Sequence, residues 1–320
     1  MKRFKNILLI CDRESQHDGL VARALTLAKT NEARITLVDV LDVEAGELSA
    51  VLAGFPDSRG EAFEQEVLDF HRARLADIAA SLRGEGIMTR DVVLQGIPFV
   101  EIIRMVMRDG HDLVMKGAGG GRAGLPLLFT STDMHLLRKC PCPVWIMKKE
   151  SGRHFARVLA AVDPSSQEER GPELDKLILD LATSLSERDG SELHVVHAWR
   201  LLGEESLRHS AFLRTSEPEI ERLLEEEEQR HRRQLDAALT PYKITDRQDH
   251  VHLLKGDARW LIPELARDTR AELIVMGTVG RTGISGFFIG NTAESILSQV
   301  DCSVLAVKPP GFQSPVRLQD

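Results

Sequence analysis

Three glycines near the C-terminus are spaced in a way that suits the binding of an anion. Gly277, Gly280 and Gly290 form a G-x2-G-x9-G array. The array follows Leu273–Met276, an all-apolar run typical of a strand buried on both faces, and precedes Asn291–Glu294, which is typical of a helix start. A strand, a glycine-rich loop and a helix N-terminus in this order expose unpaired backbone N–H groups, which attract phosphate.

A carboxylate is expected on the opposite wall of the same crevice. The apolar run 157–162 ends in Asp163, and ligands of open parallel sheets bind where the strand order reverses, beyond the carboxyl ends of the strands. This places Asp163 beside the glycines, with Ala161 and Ala198 close by. A nucleotide suits such a crevice, because its hydroxyl or amino groups can meet the carboxylate and its phosphates the amides. The glycine spacing matches neither G-x-G-x-x-G nor a Walker A loop, and a plain surface loop is the alternative.

Other side chains that could do chemistry favour structural roles. Cys140 to Cys142 is closer than the C-x2-C of zinc sites and lacks a second pair, so we predict structural cysteines. His194 and His197 face opposite sides of a predicted strand, whereas His250 and His252 share a face but lack a third ligand nearby in sequence. No Ser-His-Asp or Cys-His arrangement can be assigned. We therefore predict no catalytic residues and no metal ligands.

Length and composition bound the classes of protein. The chain has 320 residues, 42% of them apolar and 28% charged, which fits two ordinary globular domains. Its net charge of −8 argues against a general nucleic-acid binder, and no segment has the roughly 20 apolar residues of a membrane span. The basic start followed by a short apolar run is no signal peptide. We expect a reducing, cytoplasmic location.

The chain repeats itself. Residues 94–96, 112–117 and 142–148 match residues 254–256, 272–277 and 302–308 at an offset of 160 positions, while Asp163 lies 151 positions after Asp12. The difference indicates an insertion in the second half, where residues 200–215 look irregular. We predict a first domain over 1–149, a second over 155–311 and a C-terminal tail over 312–320.

Strand-like and helix-like stretches alternate within each copy. Such alternation, with strands rich in Val, Ile and Leu, predicts an α/β fold of two tandem doubly wound, five-stranded parallel sheets. Pro263 should kink or restart its helix. The predicted strands are 6–11, 33–40, 90–94, 112–116 and 143–147, then 157–162, 192–198, 249–254, 272–276 and 303–307. The predicted helices are 18–31, 61–83, 98–109 and 131–138, then 171–187, 217–239, 257–268 and 291–299.

An apolar strand ending in Asp, the glycine array and a final Cys-x-Val-Leu-x-Val-Lys strand together resemble the universal stress protein family, in its tandem form. The resemblance covers essentially the whole chain. It implies a Rossmann-like three-layer domain, a role in stress protection and, in one branch, ATP at the glycine array. Asp163 then matches the adenine contact and Ala198 an apolar adenine wall. The residues assigned to the nucleotide are Asp163, Ala161, Ala198, Met276, Gly277, Gly280, Gly290, Asn291 and Thr292.

The first copy departs from this pattern. Asp12, Gly117 and Gly120 persist, but Thr130 stands where the last glycine should be, and its Cβ would obstruct a phosphate. We predict a degenerate first site. Single-copy relatives dimerise through their last strand, so Val144–Met147 and Val304–Val307 should pair antiparallel within the chain as a pseudo-dimer. Whether whole chains associate further stays open.

The sequence therefore predicts a cytoplasmic stress protein that binds ATP, with Mg²⁺ as a companion ion, and that at most hydrolyses it weakly. One alternative is a binding module for a small molecule, such as a lipid intermediate or a sugar nucleotide, that has abandoned ATP. That alternative is motivated by Asn291, where the ATP-binding branch has Ser or Thr, by Thr130 and by the apolar segment Phe287–Ile289. A weak ATPase is a third interpretation.

Overall fold

In the part of the chain that the structure, a computed structural model, describes, ten short strands form one continuous sheet. The order across the sheet is β3-β2-β1-β4-β5-β10-β9-β6-β7-β8. Each half is therefore a parallel five-stranded sheet in which the strand order reverses between its first and fourth strands, as in doubly wound folds. The strands are β1 Asn6–Ile10, β2 Arg34–Leu41, β3 Thr89–Gln95, β4 Leu113–Gly117, β5 Val144–Met147, β6 Arg157–Ala161, β7 Glu192–Trp199, β8 Val251–Lys255, β9 Leu273–Gly277 and β10 Ser303–Val307.

The structure describes nine stretches of the chain: 4–12, 18–42, 58–119, 129–148, 154–165, 171–209, 216–244, 250–278 and 290–318. Several features of the sequence lie outside them. These are Gly120 of the first glycine array, Gly280 of the second, the apolar segment Phe287–Ile289 and the join between the two copies at 149–153.

The two halves meet through their last strands. β5 and β10 pair antiparallel, with Val304 opposite Ile146 and Ala306 opposite Val144. Every residue of both strands is buried, so the pairing removes two apolar strand edges from solvent. The prediction of two α/β copies joined as an intramolecular pseudo-dimer agrees with this topology.

Helices cover both faces of the sheet. One core packs the sheet against α1, α2, α5 and α7, and the other packs it against α3, α4, α8 and α9. No helix among the described residues is both long and apolar enough to cross a membrane. The helices are α1 Asp18–Asn31, α2 Ser58–Gly84, α3 Pro98–Asp109, α4 Ser131–Lys139, α5 Gly171–Asp189, α6 Glu204–His209, α7 Glu217–Leu239, α8 Ala258–Asp268 and α9 Asn291–Leu297.

The sequence-based prediction was wrong in two places. A short helix, α6, lies within the stretch 200–215 that looked irregular. The second difference is at Pro263, where α8 does not restart but continues from Ala258 to Asp268, while the predicted kink stays a prediction. Proline has no N–H to donate to the carbonyl four residues earlier, which is that of Arg259, and the side-chain amide of Gln299 donates to this carbonyl instead, at 2.9 Å.

Candidate functional site

The predicted site lies where the strand order of the second copy reverses. β6 and β9 are neighbours there, with Ala161 opposite Met276 in the register. Neighbouring strands lie about 4.8 Å apart, so Asp163, two residues beyond Ala161, and Gly277, one beyond Met276, lie at the same edge of the sheet. This is the crevice that open α/β sheets use for ligands.

Gly290 belongs to the same edge. Its N–H donates to the carbonyl of Thr278 at 3.1 Å, so Gly290 lies beside the end of β9. Gly290 is the N-cap of α9 with φ −61° and ψ 136°, a conformation open to any residue. Asn291 and Thr292 follow in the first turn of α9 and are exposed.

Gly277 has a packing role of its own. A Cβ atom built on it would lie 2.8 Å from Cδ2 of Leu174 on α5, closer than real Cβ contacts allow. Because this atom is the far end of a flexible side chain, a larger residue at position 277 would displace the Leu174 side chain. Close packing against α5 is thus a second reason for a glycine here, beside the approach of a phosphate.

Asp163 is held in a defined environment. Its carboxylate accepts from the hydroxyl of Ser165 at 2.7 Å, and its N–H donates to Oδ1 of Asp175 at 2.9 Å. Asp175 lies on α5 and is buried. Burial, opposed by that hydrogen bond and assisted by the charge of Asp163, raises the pKa of Asp175 to about 7. The sequence analysis missed this carboxylate pair, although an aspartate among the leucines of α5 was a visible signal.

A second polar chain ties α7 to the end of β6. Nδ1 of His197 lies 3.2 Å from the carbonyl oxygen of Val162 and 3.9 Å from Oδ1 of Asp163. Since a carbonyl can only accept, Nδ1 of His197 donates to it, and Nε2 of His197 is hydrogen-bonded to Nδ1 of His231 at 2.7 Å. Nε2 of His231 lies 3.2 Å from Oε1 of Glu227. These rings hold the carbonyl immediately before Asp163 in place.

Two small residues predicted to contact the nucleotide lie on the strands that border the crevice. Ala161 and Ala198 are both half-buried. Ala198 lies on β7, where it pairs with Leu254 of β8. Met276 is buried, with 3% of its surface exposed, so it contributes to the apolar floor rather than to an open wall.

In the first copy, charged side chains lie at the positions equivalent to the candidate site. Nζ of Lys116 lies 3.1 Å from Oδ2 of Asp12 and 2.9 Å from Oδ1 of Asp133. Burial favours the neutral amine, but Asp133 and Asp12 together raise the pKa of Lys116 above its ordinary value. Asp12, the counterpart of Asp163, is therefore engaged in an ion pair with a buried lysine.

Thr130 also has a structural role in the first copy. Its hydroxyl accepts from the N–H of Asp133 at 3.1 Å, and its own N–H donates to Oδ2 of Asp133 at 2.8 Å. This is a capping box at the start of α4. The sequence analysis noted the lost glycine but missed Lys116 and Asp133, although a lysine inside the apolar strand β4 was a visible signal.

His194, His250 and His252 form a cluster that the sequence analysis did not predict. Nδ1 of His194 lies 3.1 Å from Nε2 of His252, and the centroid of its ring lies 4.8 Å from that of His250. Neighbouring strands bring these rings together. Within the described ranges, no three His, Cys, Asp or Glu side chains are arranged to hold a metal ion.

Solved structures share this architecture. A functionally unknown protein from Pseudomonas aeruginosa PAO1 superimposes with a TM-score of 0.72 at 26% identity, over 97% of this chain and 95% of that one. A universal stress protein from Archaeoglobus fulgidus DSM 4304 has the same fold, with a TM-score of 0.60 at 20% identity over 95% of this chain and 98% of that one.

Sequence comparison gives the family. The chain is 30% identical to universal stress protein E of Escherichia coli K12, over 100% of this chain and 99% of that protein. It is 29% identical to a universal stress protein E homolog of Haemophilus influenzae, over 96% and 98% of the two chains. The model of the universal stress protein family matches twice, at residues 3–148 and 154–308. The chain therefore belongs to the universal stress protein family.

Proposed function

We propose that the second copy of this stress protein binds a nucleotide, ATP in the first instance, and that the first copy does not. The observation that carries the proposal is a contrast between equivalent positions. In the first copy Lys116 forms ion pairs with Asp12 and Asp133. In the second copy the residues at the same offset are Met276 and Ala293, neither of which can form an ion pair with Asp163.

Each element of the crevice has a role in this proposal. The carboxylate of Asp163 accepts a hydrogen bond from an amino or hydroxyl group of the ligand, and Ala161 and Ala198 contact its apolar faces. The first N–H groups of a helix have no acceptor within the helix, so the first turn of α9, at Asn291 and Thr292, meets the phosphates. Mg²⁺ accompanies the phosphates.

The role of the protein in this proposal is binding rather than turnover. Among the described residues at this edge of the sheet, Asp175 has the pKa that best suits a general base, at about 7. Its side chain, however, is buried on α5 beside the backbone of Asp163. A bound nucleotide would instead alter the surface that partners meet in the cytoplasm. The protein would then present one surface to its partners with the nucleotide bound and another surface without it.

The first test is the identity of the molecule that copurifies. Denaturing the purified protein and analysing the released small molecules by mass spectrometry should yield ATP or another adenine nucleotide. If no small molecule is released, the protein is titrated with ATP and Mg²⁺ in a calorimeter. Release of a sugar nucleotide or an apolar compound, or the absence of heat in the titration, would contradict ATP binding.

The second test is a substitution of the glycine at the start of α9. Gly290→Val should abolish nucleotide binding without loss of the fold, because the backbone at Gly290 is in a region that valine also adopts. Thr130→Ser, at the equivalent position of the first copy, keeps the capping hydroxyl and should leave binding unchanged. Far-ultraviolet circular dichroism checks the fold. Unchanged affinity in Gly290→Val would refute the site.

A further inference from the structure

Two cysteines face each other in the turn between α4 and β5. Sγ of Cys140 and Sγ of Cys142 lie 3.6 Å apart. Cys140 is fully buried, whereas Cys142 is partly exposed. A disulfide requires a separation of about 2 Å, so the two sulfurs are not bonded here and must move closer together for a bond to form.

A buried lysine lies beside this pair because of how the two copies join. Ala306 of β10 is opposite Val144 of β5, and the same antiparallel register continued by two residues places Lys308 opposite Cys142. Lys308 is 5% exposed. Its Nζ donates to the carbonyl of Leu137 at 2.7 Å and lies 3.3 Å from the hydroxyl of Thr278.

The lysine and the sulfurs affect one another electrostatically. Burial lowers the pKa of Lys308 to about 8, although the two sulfurs act to raise it. Burial alone would raise the pKa of Cys140, but the hydrogen bond from Cys142 and the charge of Lys308 bring it below its ordinary value. The hydrogen bond to Cys140 and burial raise the pKa of Cys142. When the pair loses one proton, the negative charge is therefore favoured on Cys140 rather than on Cys142.

The second copy provides an internal control. Cys302 is the counterpart of Cys142 and Lys148 that of Lys308, but Val300 stands where the first copy has Cys140. Burial raises the pKa of Cys302 to about 12, and Lys148 is paired with Asp301 at 2.8 Å. The same position without a second sulfur is thus an unreactive thiol.

We propose that Cys140, Cys142 and Lys308 form a thiol-modification site in which a hydroperoxide converts the two thiols into a reversible disulfide. Cys140, the sulfur that the hydrogen bond from Cys142 and the charge of Lys308 favour as a thiolate, reacts first: its Sγ attacks one peroxide oxygen, the O–O bond breaks, and hydroxide or alkoxide leaves. Sγ of the partly exposed Cys142 then attacks the resulting sulfenic sulfur. The S–S bond forms, the S–O bond breaks and water leaves, so that two thiols are oxidised as one peroxide is reduced.

Oxidation also changes the charge around Lys308. The disulfide cannot carry the negative charge that Cys140 carries as a thiolate, so the buried ammonium of Lys308 loses the groups that favour it. Lys308 lies where α4 of the first copy meets β10 of the second, through its bond to the carbonyl of Leu137. Peroxide would thus be sensed at the junction of the two copies.

Peptide mapping of the full chain tests the proposal. The folded protein is treated with hydrogen peroxide, alkylated with N-ethylmaleimide and digested with trypsin, which cleaves after Lys139 and Lys148. Peptide 140–148 should lose two hydrogens and escape alkylation while Cys11 and Cys302 remain thiols, and dithiothreitol should restore it. Oxidation of Cys302 at the same rate, or a bond between two chains through Cys142, would overturn the proposal.

Substitutions separate the roles of the three residues. Cys142→Ser should abolish the disulfide, whereas Cys302→Ser, its matched control, should leave its rate unchanged. Lys308→Met should slow oxidation at neutral pH by about tenfold, since only the thiolate is nucleophilic, and Lys148→Met should not. Equal rates in wild type and Lys308→Met would remove Lys308 from the site. Mapping of the wild-type protein still tests the disulfide if a variant fails to fold.

Discussion

Neighbouring carboxylates meet at the end of β6. Asp163 is partly exposed, with 34% of its side chain accessible, whereas Asp175 is buried and receives the N–H of Asp163. Burial disfavours the ionised form of Asp175 and raises its pKa to about 7. Asp163 is thus open to a ligand, whereas Asp175 holds its proton below about pH 7.

Asp175 should make the protein less stable as pH rises. Its pKa is about 7 in the folded state against an ordinary value of 3.8, so the folded state binds the proton more tightly. The free energy of unfolding should fall between about pH 4 and pH 7, by at most about 1.4 kcal/mol per pH unit from this group. Asp175→Asn should remove that slope in urea unfolding, whereas the exposed Asp77→Asn should keep it. A slope unchanged by Asp175→Asn would contradict the assignment.

Asp163 and Asp12 should differ in their effect on a ligand. Asp163→Asn should weaken ATP binding by about tenfold or more, because a hydrogen bond to a charged acceptor contributes about 1.5–3 kcal/mol. Asp12→Asn should leave the affinity unchanged, since Asp12 is paired with Lys116. Calorimetric titration measures both. Equal losses in the two variants would place the ligand elsewhere.

At the scale of elements, a hydrogen bond links α8 to the end of α9 at the carbonyl that Pro263 leaves without a donor. Pro263 leaves the carbonyl of Arg259 without its usual donor within α8, and Gln299, just after α9, donates to it. The same amide also bonds the carbonyl of Ser295 at 2.8 Å. One side chain thus fastens the C-terminal end of α9 to the first turn of α8.

The bond from Gln299 should depend on the proline. Gln299→Ala should lower the free energy of unfolding by about 1 kcal/mol, the usual net contribution of such a hydrogen bond. In a Pro263→Ala background the loss should be smaller, because residue 263 then supplies its own N–H to Arg259. A double-mutant cycle in urea measures this coupling. Additive effects would mean that Gln299 acts through Ser295 alone.

At the scale of the whole molecule, the two copies are joined by more than β5 and β10. Nη1 of Arg23 on α1 lies 2.6 Å from Oδ2 of Asp189 at the end of α5, and both side chains are buried. The guanidinium also lies 5.1 Å from the ring of Trp145 and 4.8 Å from that of Phe155. A buried ion pair between aromatic rings therefore connects the first copy to the second.

Breaking this pair should destabilise the chain strongly. Burial lowers the pKa of Arg23 to about 10, and burial tends to raise the pKa of Asp189, but Arg23 and Arg188 hold it below its ordinary value. Arg23→Met should cost about 3–5 kcal/mol, because it leaves a buried carboxylate without this partner.

The control for Arg23→Met is an exposed arginine. Arg72→Met removes the surface pair with Asp69 and should cost less than about 1 kcal/mol. Because the pKa of Asp189 is depressed, the stability it contributes is present above the ordinary aspartate pKa and is lost as pH falls through its folded value. Equal losses for Arg23→Met and Arg72→Met in thermal unfolding would contradict a joining role.

The sequence by itself determined the duplication, the strands and the position of the ends of β6 and β9 at one edge of the sheet. Apolar runs between helical stretches have few ways to bury themselves, and a parallel sheet brings its strand ends together in a known order. The same logic predicted the pairing of β5 with β10, because two fully apolar edges must be covered. Element bounds shifted by one to three residues, since helix and strand ends depend on local caps.

The tertiary structure alone decided which side chains meet across those elements. Lys116 reaches both Asp12 and Asp133, Gln299 replaces the donor that Pro263 lacks, and Lys308 of one copy comes to lie beside the cysteines of the other. These partners are separated along the chain by about 20 to more than 150 residues. Their contacts depend on helix placement and strand register, which no local pattern of residues encodes.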